Sequence, residues 1–248
     1  IVLCRGGARL RATMRWLPVL RALAFALLVV TVGMAFEYAP VAQDTAGGLT
    51  QKIFYFHVPS AYVMYLGVGA CVAGSLGYLI LRRPGWDALA QAGAELAVVF
   101  ASIVLITGPL WARKAWGTYW AWDPRLTTTL LGVLIFVAYL VLHGGAGAGE
   151  AERRFSSALA VMGACVMPVI HFSVQLWRGQ HPTVITRAGG GLAPEMGATL
   201  GVSFVAFTLL AAALLWVRTR VALGELRLEA MRTEAVAHGL LDDEEVDA

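Results

Sequence analysis

Charged residues are scarce in this sequence of 248 residues, of which Asp, Glu, Lys and Arg make up only 14%. Soluble domains carry about 25% charged residues, so the composition argues against a soluble protein. The apolar residues, 58% of the total, form blocks of about 20, the length that crosses a bilayer as a helix. The blocks do not alternate with polar residues, which argues against a β-barrel. The sequence therefore predicts an all-α polytopic membrane protein.

Cysteine motifs are also missing. The three cysteines are Cys4, Cys71 and Cys165, which lie far apart in the sequence and form neither a CxxC nor a CxxCH pattern. Their spacing argues against a disulfide framework, a zinc site, a thiol relay and covalent attachment of haem. The net charge of +3 is modest, and we expect no nucleic-acid partner.

Six transmembrane helices are predicted, and they define the organisation of the chain. Residues 1–217 form the predicted membrane domain, and residues 218–248 form a tail that is amphipathic and then acidic, from Asp242 to Glu245. The sequence does not begin with Met, and Met14 is an alternative start. The six predicted spans cover approximately residues 17–36, 60–81, 88–110, 127–142, 156–176 and 197–217.

The distribution of Lys and Arg predicts the orientation. An even number of spans puts both termini on one side of the membrane, and that side carries 13 of the 19 Lys and Arg residues. Basic loops stay in the cytoplasm. Both termini are therefore predicted to be cytoplasmic, and the loops before His57, around residues 111–127 and around His181 are predicted to face outward.

The segment 111–127, WARKAWGTYWAWDPRLT, holds four of the eight tryptophans; we call it the tryptophan segment. It is too polar to cross a bilayer, and it has more aromatic residues than a membrane-surface belt requires. We interpret it as an aromatic surface with cationic edges, which suits a large, flat, amphiphilic anion. Arg125 and Lys114 are candidates for pairing with carboxylates of such a ligand, the alternative being contact with lipid headgroups. Asp123 followed by Pro124 predicts a helix N-terminus.

Two histidines beside prolines flank this segment. His57 precedes Pro59 and is predicted to lie just outside the second span, whereas His181 precedes Pro182 beyond the fifth span. A single histidine in a loop is usually only a solvated polar residue. Two imidazoles that converge on one face of the membrane, however, can bind the iron of a single haem from opposite sides of the porphyrin. His171, near the outer end of the fifth span, is the alternative to His181.

The run from Trp116 to Thr127 resembles the WWD signature of the haem-handling family of cytochrome c maturation. Together with the six spans and the flanking histidines, it is most similar to the haem exporter protein C (CcmC) branch, over nearly the whole chain. The resemblance implies a protein of the bacterial inner membrane that binds haem b without a covalent bond and delivers it to the periplasmic haem chaperone CcmE. The implied axial ligands of the iron map onto His57 and His181, with His171 as the alternative second ligand.

The resemblance also implies a set of contacts and partners. The expected partners are the ABC transporter subunits CcmA and CcmB, the small membrane subunit CcmD and membrane lipid. We expect a scaffold that presents haem, with at most a haem-transfer or lyase-like activity. The residues expected to contact haem are Trp111, Trp116, Tyr119, Trp120, Trp122, Asp123, Arg125, Lys114 and Arg178.

Three alternatives remain at this stage. A related WWD haem lyase (CcmF) or cytochrome c synthase (CcsA) would add histidines in the middle of spans, and none is evident. A bis-histidine b-type cytochrome would place its histidines within facing spans. A secondary transporter would use Glu95, which lies in the third span and must face the bundle interior or a partner, but paired polar residues at the membrane midplane are not evident.

Overall fold

The computed structural model describes residues 2–43, 47–144, 149–182 and 191–240, with side chains described from Trp16 onward. The described residues contain helices and no strand. A π-helical turn, Met34–Tyr38, continues the first helix, and a 3₁₀ helix, Gly48–Ile53, leads into the second. The helices are α1 (Val2–Gly33), α2 (Phe54–Leu81), α3 (Pro84–Trp116), α4 (Pro124–His143), α5 (Glu150–Gly163), α6 (Val166–Trp177) and α7 (Pro194–Ala237).

Within the described ranges, six helical segments are long and apolar enough to cross a membrane. They confirm the predicted all-α protein with six spans. Apolar side chains on the outer surface, such as Phe25, Ile80 and Met162, are each more than 70% exposed, as expected where lipid covers the helices. The segments are Trp16–Tyr38, Gly48–Leu81, Pro84–Trp116, Pro124–His143, Glu150–Trp177 and Pro194–Ala237.

The fifth span is interrupted, which the sequence did not predict. It consists of α5 and α6, separated by a turn at Ala164 and Cys165. Pro168 has no N–H to donate to the carbonyl of Ala164. That carbonyl instead accepts a hydrogen bond from the backbone N–H of Met167 at 3.0 Å, so the chain tightens locally before α6 begins.

The most extensive packing in the bundle joins α2 to α3, which form an antiparallel hairpin. Glycines on both helices bring the two backbones into direct contact. A Cβ atom at Gly67, Gly74 or Gly93 would collide with the backbone of the opposite helix. Such small residues allow close approach of helices in membranes, and here they make α2 and α3 a single packed unit.

The end of the bundle near residues 82–87 is closed by a buried polar cluster. Asp87 is fully buried, and its Oδ1 lies 2.9 Å from Nε2 of His143. The ring of Tyr139 stacks on His143 with a centroid distance of 5.4 Å, and Nε of Arg153 lies 3.9 Å from Oδ2 of Asp87. This cluster joins the start of α3, the end of α4 and the start of α5.

Glu95 has a partner that the sequence did not reveal. Arg218 of α7 donates hydrogen bonds from Nη2 to Oε1 of Glu95, at 2.8 Å, and from Nε to Oε2. A bidentate pair of this kind is compact and well oriented. It satisfies the carboxylate of Glu95 within the bundle and links α3 to α7.

The predicted tail begins inside a continuous helix. α7 runs through residues 217 and 218 without a break and ends at Ala237. The acidic run from Asp242 to Glu245 lies outside the described residues.

Candidate functional site

Six helix ends lie at the end of the bundle opposite to Asp87, and four of them carry predicted site residues. Because successive spans are antiparallel, the starts of α2 and α4 lie at the same end as the last turns of α3 and α6. The described segments 39–43, 47–53, 117–123 and 178–182 adjoin the helices at this end. All the predicted site residues lie on these elements.

His57 lies within the first turn of α2, not outside the second span as predicted. The helix begins at Phe54 and passes through Pro59. Pro59 has no N–H to donate to the carbonyl of Tyr55, four residues earlier. The hydroxyl of Ser203, on α7, donates a hydrogen bond to that carbonyl instead. A side chain 148 residues away in the sequence thus supplies the donor that Pro59 lacks for the carbonyl of Tyr55. The helix can therefore begin before Pro59, at Phe54.

The ring of half-buried His57 rests against α3. Its Nδ1 lies 2.8 Å from the hydroxyl oxygen of Thr107. Gly108 lies beside the ring: a Cβ atom built at this position would be only 3.3 Å from Cε1 of His57. The close contact with α3 fixes where the imidazole points.

The tryptophan segment forms two aromatic pairs rather than one continuous surface. Trp111 and Trp116 lie in the last turns of α3 and pack edge to face, with ring centroids 5.5 Å apart. Gly117, with φ of 77°, ends the helix in the left-handed conformation. The following non-helical stretch places Trp120 and Trp122 edge to face at 5.7 Å. Each pair has a geometry that is favourable for aromatic rings.

Exposure differs among these aromatic residues. The side chain of Trp122 is 77% exposed and that of Tyr119 is 58% exposed, whereas Trp111, Trp116 and Trp120 are partly buried. The segment therefore combines anchored rings with rings that are open to a ligand or partner.

The segment between α1 and α2 is fastened to the first aromatic pair. The indole N–H of Trp111 donates to Oε1 of Gln51 at 2.8 Å. The ammonium group of Lys52, although buried, donates to the backbone carbonyls of Ala39 and Pro40. These contacts hold the residues before His57 against α3.

Asp123 connects two parts of the site. Its Oδ1 accepts a hydrogen bond from the backbone N–H of Arg125 at 2.9 Å, which confirms the predicted N-cap of α4. Its Oδ2 accepts from the backbone N–H of Gln180 at 2.6 Å. Asp123 therefore also holds the residues that lead into His181. No local sequence pattern predicted this second role.

Arg125 is the most involved of the predicted cationic residues. Its Nη2 donates to the backbone carbonyl of His171 at 2.9 Å, and its Nη1 lies 3.2 Å from Nδ1 of His181. These contacts draw the end of α6 and His181 to the start of α4.

The other cationic side chains stay at the periphery. Lys114 is exposed. Arg178 is exposed and caps α6 with a φ of 52°, in the left-handed region. Arg113 donates to the carbonyl of Gly117 at the end of α3, and its guanidinium lies 5.7 Å from the ring centroid of Tyr119.

His57 and His181 contact the two helices that bound the tryptophan segment: His57 lies against Thr107 of α3, and His181 lies against Arg125 of α4. Burial, followed by the positive charge of Arg125, lowers the pKa of His181 to about 4. Its imidazole is therefore neutral at neutral pH, as a metal ligand must be. The side chain of His171 is instead exposed and packs edge-on against Phe172, with a centroid distance of 4.8 Å.

Two buried hydrogen-bond donors of the tryptophan segment have no partner among the described residues. They are the indole N–H of Trp120 and the Nε–H of Arg125. Buried donors are nearly always paired in folded proteins. Unpaired donors beside aromatic rings and neutral imidazoles fit an amphiphilic ligand that carries carboxylates, which is the chemistry of haem.

The sequence is similar to those of proteins named heme exporter protein C. A family model described as heme exporter protein C matches residues 3–234. The heme exporter protein C of Bradyrhizobium diazoefficiens is 36% identical over 203 residues, which cover 81% of this chain and 76% of that protein. The protein of the same name from Escherichia coli K12 is 31% identical over 195 residues, 78% of this chain and 79% of the relative. That from Paracoccus denitrificans is 31% identical over 192 residues, 76% of this chain and 80% of the relative.

Proposed function

Because the chain belongs to the heme exporter protein C family, we propose that it holds haem b at the tryptophan-segment end of the bundle and presents it to the haem chaperone CcmE. Family membership implies a role in haem handling for cytochrome c biogenesis. The proposal adds the site, the non-covalent binding mode and the recipient. It also puts the protein in the inner membrane with cytoplasmic termini, so that the site faces the periplasm, in keeping with the distribution of Lys and Arg.

The convergence of His57 and His181 carries this proposal. They come from α2 and from the segment after α6, yet both contact the surroundings of the tryptophan segment: His57 Nδ1 lies 2.8 Å from Thr107, four residues before Trp111, and His181 Nδ1 lies 3.2 Å from Arg125. Two neutral imidazoles supply the axial ligation that many membrane haem proteins use. His181 is preferred to His171 because the exposed ring of His171 packs on Phe172.

The remaining residues divide into those that contact haem and those that position the site. Rings of Trp111, Trp116, Tyr119, Trp120 and Trp122 would pack against the macrocycle. Arg125, whose Nε–H is buried and unpaired within the described residues, would hold a propionate, and Lys114 and Arg178 would act from the periphery. Asp123 would serve the site by holding Gln180 and Arg125 in place.

The assembly around the protein follows from its family. The name exporter implies a complex of the ABC type with other subunits. We propose that these subunits are CcmA, CcmB and CcmD. The exposed rings of Trp122 and Tyr119 would leave one side of the haem open to CcmE. The protein then acts as a scaffold for haem transfer rather than as an enzyme with its own chemical step.

The test is an optical measurement of bound haem in the purified full-length protein, with and without CcmE. We expect His57→Ala and His181→Ala each to lower bound haem at unchanged membrane insertion. His238→Ala is the matched control, because His238 is exposed in the distant tail, and His171→Ala tests the alternative ligand.

Three results would contradict the proposal. Unchanged haem in both His57→Ala and His181→Ala would remove the proposed ligands. A haem that stays bound in the presence of CcmE would favour a b-type cytochrome. A protein that never acquires haem would favour a transporter.

A further inference from the structure

The hydroxyl group of Thr107 makes two hydrogen-bond contacts but carries only one hydrogen. Its Oγ1 donates to the backbone carbonyl of Ile103, one turn earlier in α3, at 2.7 Å. The carbonyl has no hydrogen, so the hydroxyl must be the donor there. The same Oγ1 lies 2.8 Å from Nδ1 of His57. When its hydrogen is directed at Ile103, Thr107 accepts a hydrogen bond from Nδ1 of His57.

With the hydroxyl hydrogen on the Ile103 side, the proton of a neutral His57 imidazole is on Nδ1. A neutral imidazole carries one N–H, so Nε2 of His57 keeps its lone pair. A nitrogen with a free lone pair is the atom that binds a metal, and the partner of the other nitrogen sets the tautomer and the orientation of the ring. Gly108, which leaves room for Cε1 of His57, lets the ring approach Thr107 closely enough for this bond.

His181 has no such single assignment. Arg125 can only donate to Nδ1 of His181, at 3.2 Å, which would put the proton of His181 on Nε2. The carbonyl of Pro182 can only accept from the same Nδ1, at 3.1 Å, which would put the proton on Nδ1. These two contacts require opposite tautomers, so together they do not select one.

We propose that Thr107 is a positioning residue that holds His57 in the tautomer with a free Nε2, so that His57 is ready to bind the haem iron before haem arrives. This inference rests on the proposed function, in which His57 ligates iron. Thr107 itself does not touch the iron. It acts through the imidazole, as a hydrogen-bond acceptor that also makes the ligand more basic.

The first test uses the full-length protein without haem. Nitrogen NMR of ¹⁵N-histidine-labelled protein in detergent distinguishes the two imidazole tautomers, and His57→Ala assigns the signal. We expect a single Nδ1–H tautomer in the parent and in Thr107→Ser, which keeps the hydroxyl. In Thr107→Val, which has the same shape but no hydroxyl, we expect a mixture of tautomers.

The second test measures haem binding in the same variants. Loss of an outer-shell partner of a metal ligand typically weakens metal binding about 10- to 100-fold, and we expect Thr107→Val to lose at least about 10-fold in haem affinity. The midpoint potential of the bound haem should rise, because a less basic imidazole stabilises ferric iron less well. Thr107→Ser should stay close to the parent in both measurements.

The matched control is Thr208→Val. Thr208 lies on α7 and also bonds to the carbonyl one turn earlier, that of Phe204, at 2.7 Å, but it has no histidine contact in the described residues. It should leave the tautomer, the affinity and the potential unchanged.

The outcomes separate this inference from the proposed function. A pure Nδ1–H tautomer and parental haem affinity in Thr107→Val, with haem lost in His57→Ala, would overturn the role of Thr107 and leave the ligand assignment intact. Unchanged haem in His57→Ala would overturn both. An Nε2–H tautomer in the parent protein would overturn the inference directly, even if Thr107→Val were too unstable to purify.

Discussion

The two ends of the helix bundle use the same types of residue in opposite ways. At one end, Asp87 and His143 are both buried and bond to each other, with Tyr139 stacked on the imidazole. At the other end, His57 and His181 bond to a hydroxyl, a guanidinium and a backbone carbonyl, and within the described residues neither pairs with a carboxylate. The imidazole of His143 is buried against Asp87 and Tyr139, which fits a structural role. The imidazoles of His57 and His181 are only partly buried, which leaves them accessible to a ligand.

Two aspartates that are buried in the described part of the chain differ in the same way. Asp87 pairs with side chains, those of His143 and Arg153, and joins three helices. Asp123 accepts from the backbone N–H groups of Arg125 and Gln180 and, among the described residues, from no side chain. The carboxylate of Asp87 therefore stabilises the helix bundle, whereas the carboxylate of Asp123 orders the backbone beside His181. Substitutions at three positions, Asp87, Asp123 and Arg178, test this difference between the two ends of the bundle.

Asp87→Ala should have the largest effect on stability. Removing one partner of a buried ionic pair typically costs about 3–5 kcal/mol, and His143 and Arg153 would both lose their carboxylate. Thermal unfolding in detergent should show the loss, while haem bound per folded molecule should not change. Asp87→Asn, which can still accept from His143, should be less affected. A selective loss of haem in folded Asp87→Ala would break the contrast between the two ends.

Asp123→Ala should have a smaller effect on stability and a larger effect on haem. Loss of an N-cap costs about 1 kcal/mol, and the N–H of Gln180 also loses its acceptor. Because Gln180 precedes His181, we expect bound haem to fall while the protein remains folded. Asp123→Asn is the control: its amide oxygen can cap α4, but its NH₂ group would oppose the N–H of Gln180. Normal haem content in both variants would make Asp123 a purely structural residue, like Asp87.

Arg178→Gly should have the smallest effect on stability, and it should be favourable. Glycine relieves the left-handed backbone strain but loses more chain entropy, for a net gain of about 0.5 kcal/mol. If Arg178 assists a propionate, bound haem should nevertheless decrease, and Arg178→Lys should retain it. If bound haem instead rises and falls together with thermal stability in both variants, Arg178 only caps α6.

What the sequence could predict depended on whether the causes were local. Six apolar blocks predicted six spans, and the adjacent Asp123 and Pro124 predicted the start of α4, because capping is decided within one turn. His57 was wrongly expected outside α2, because the group that satisfies Tyr55 next to Pro59 is Ser203, from the last span. The pairs Glu95–Arg218 and Thr107–His57 join residues 123 and 50 positions apart. No local pattern encodes such pairs.

Under the proposed function, the backbone contact between α2 and α3 has a mechanical consequence for haem release. Because no layer of side chains separates the two helices, the hairpin resists internal sliding and carries His57, Thr107 and the Trp111–Trp116 pair as one rigid unit. Asp123, Arg125 and His181 are joined by their own hydrogen-bond contacts into a second unit. Separating the two imidazoles would therefore require the two units to move apart where the hairpin meets α4, and each unit would keep its own hydrogen bonds while the proposed iron ligation is lost.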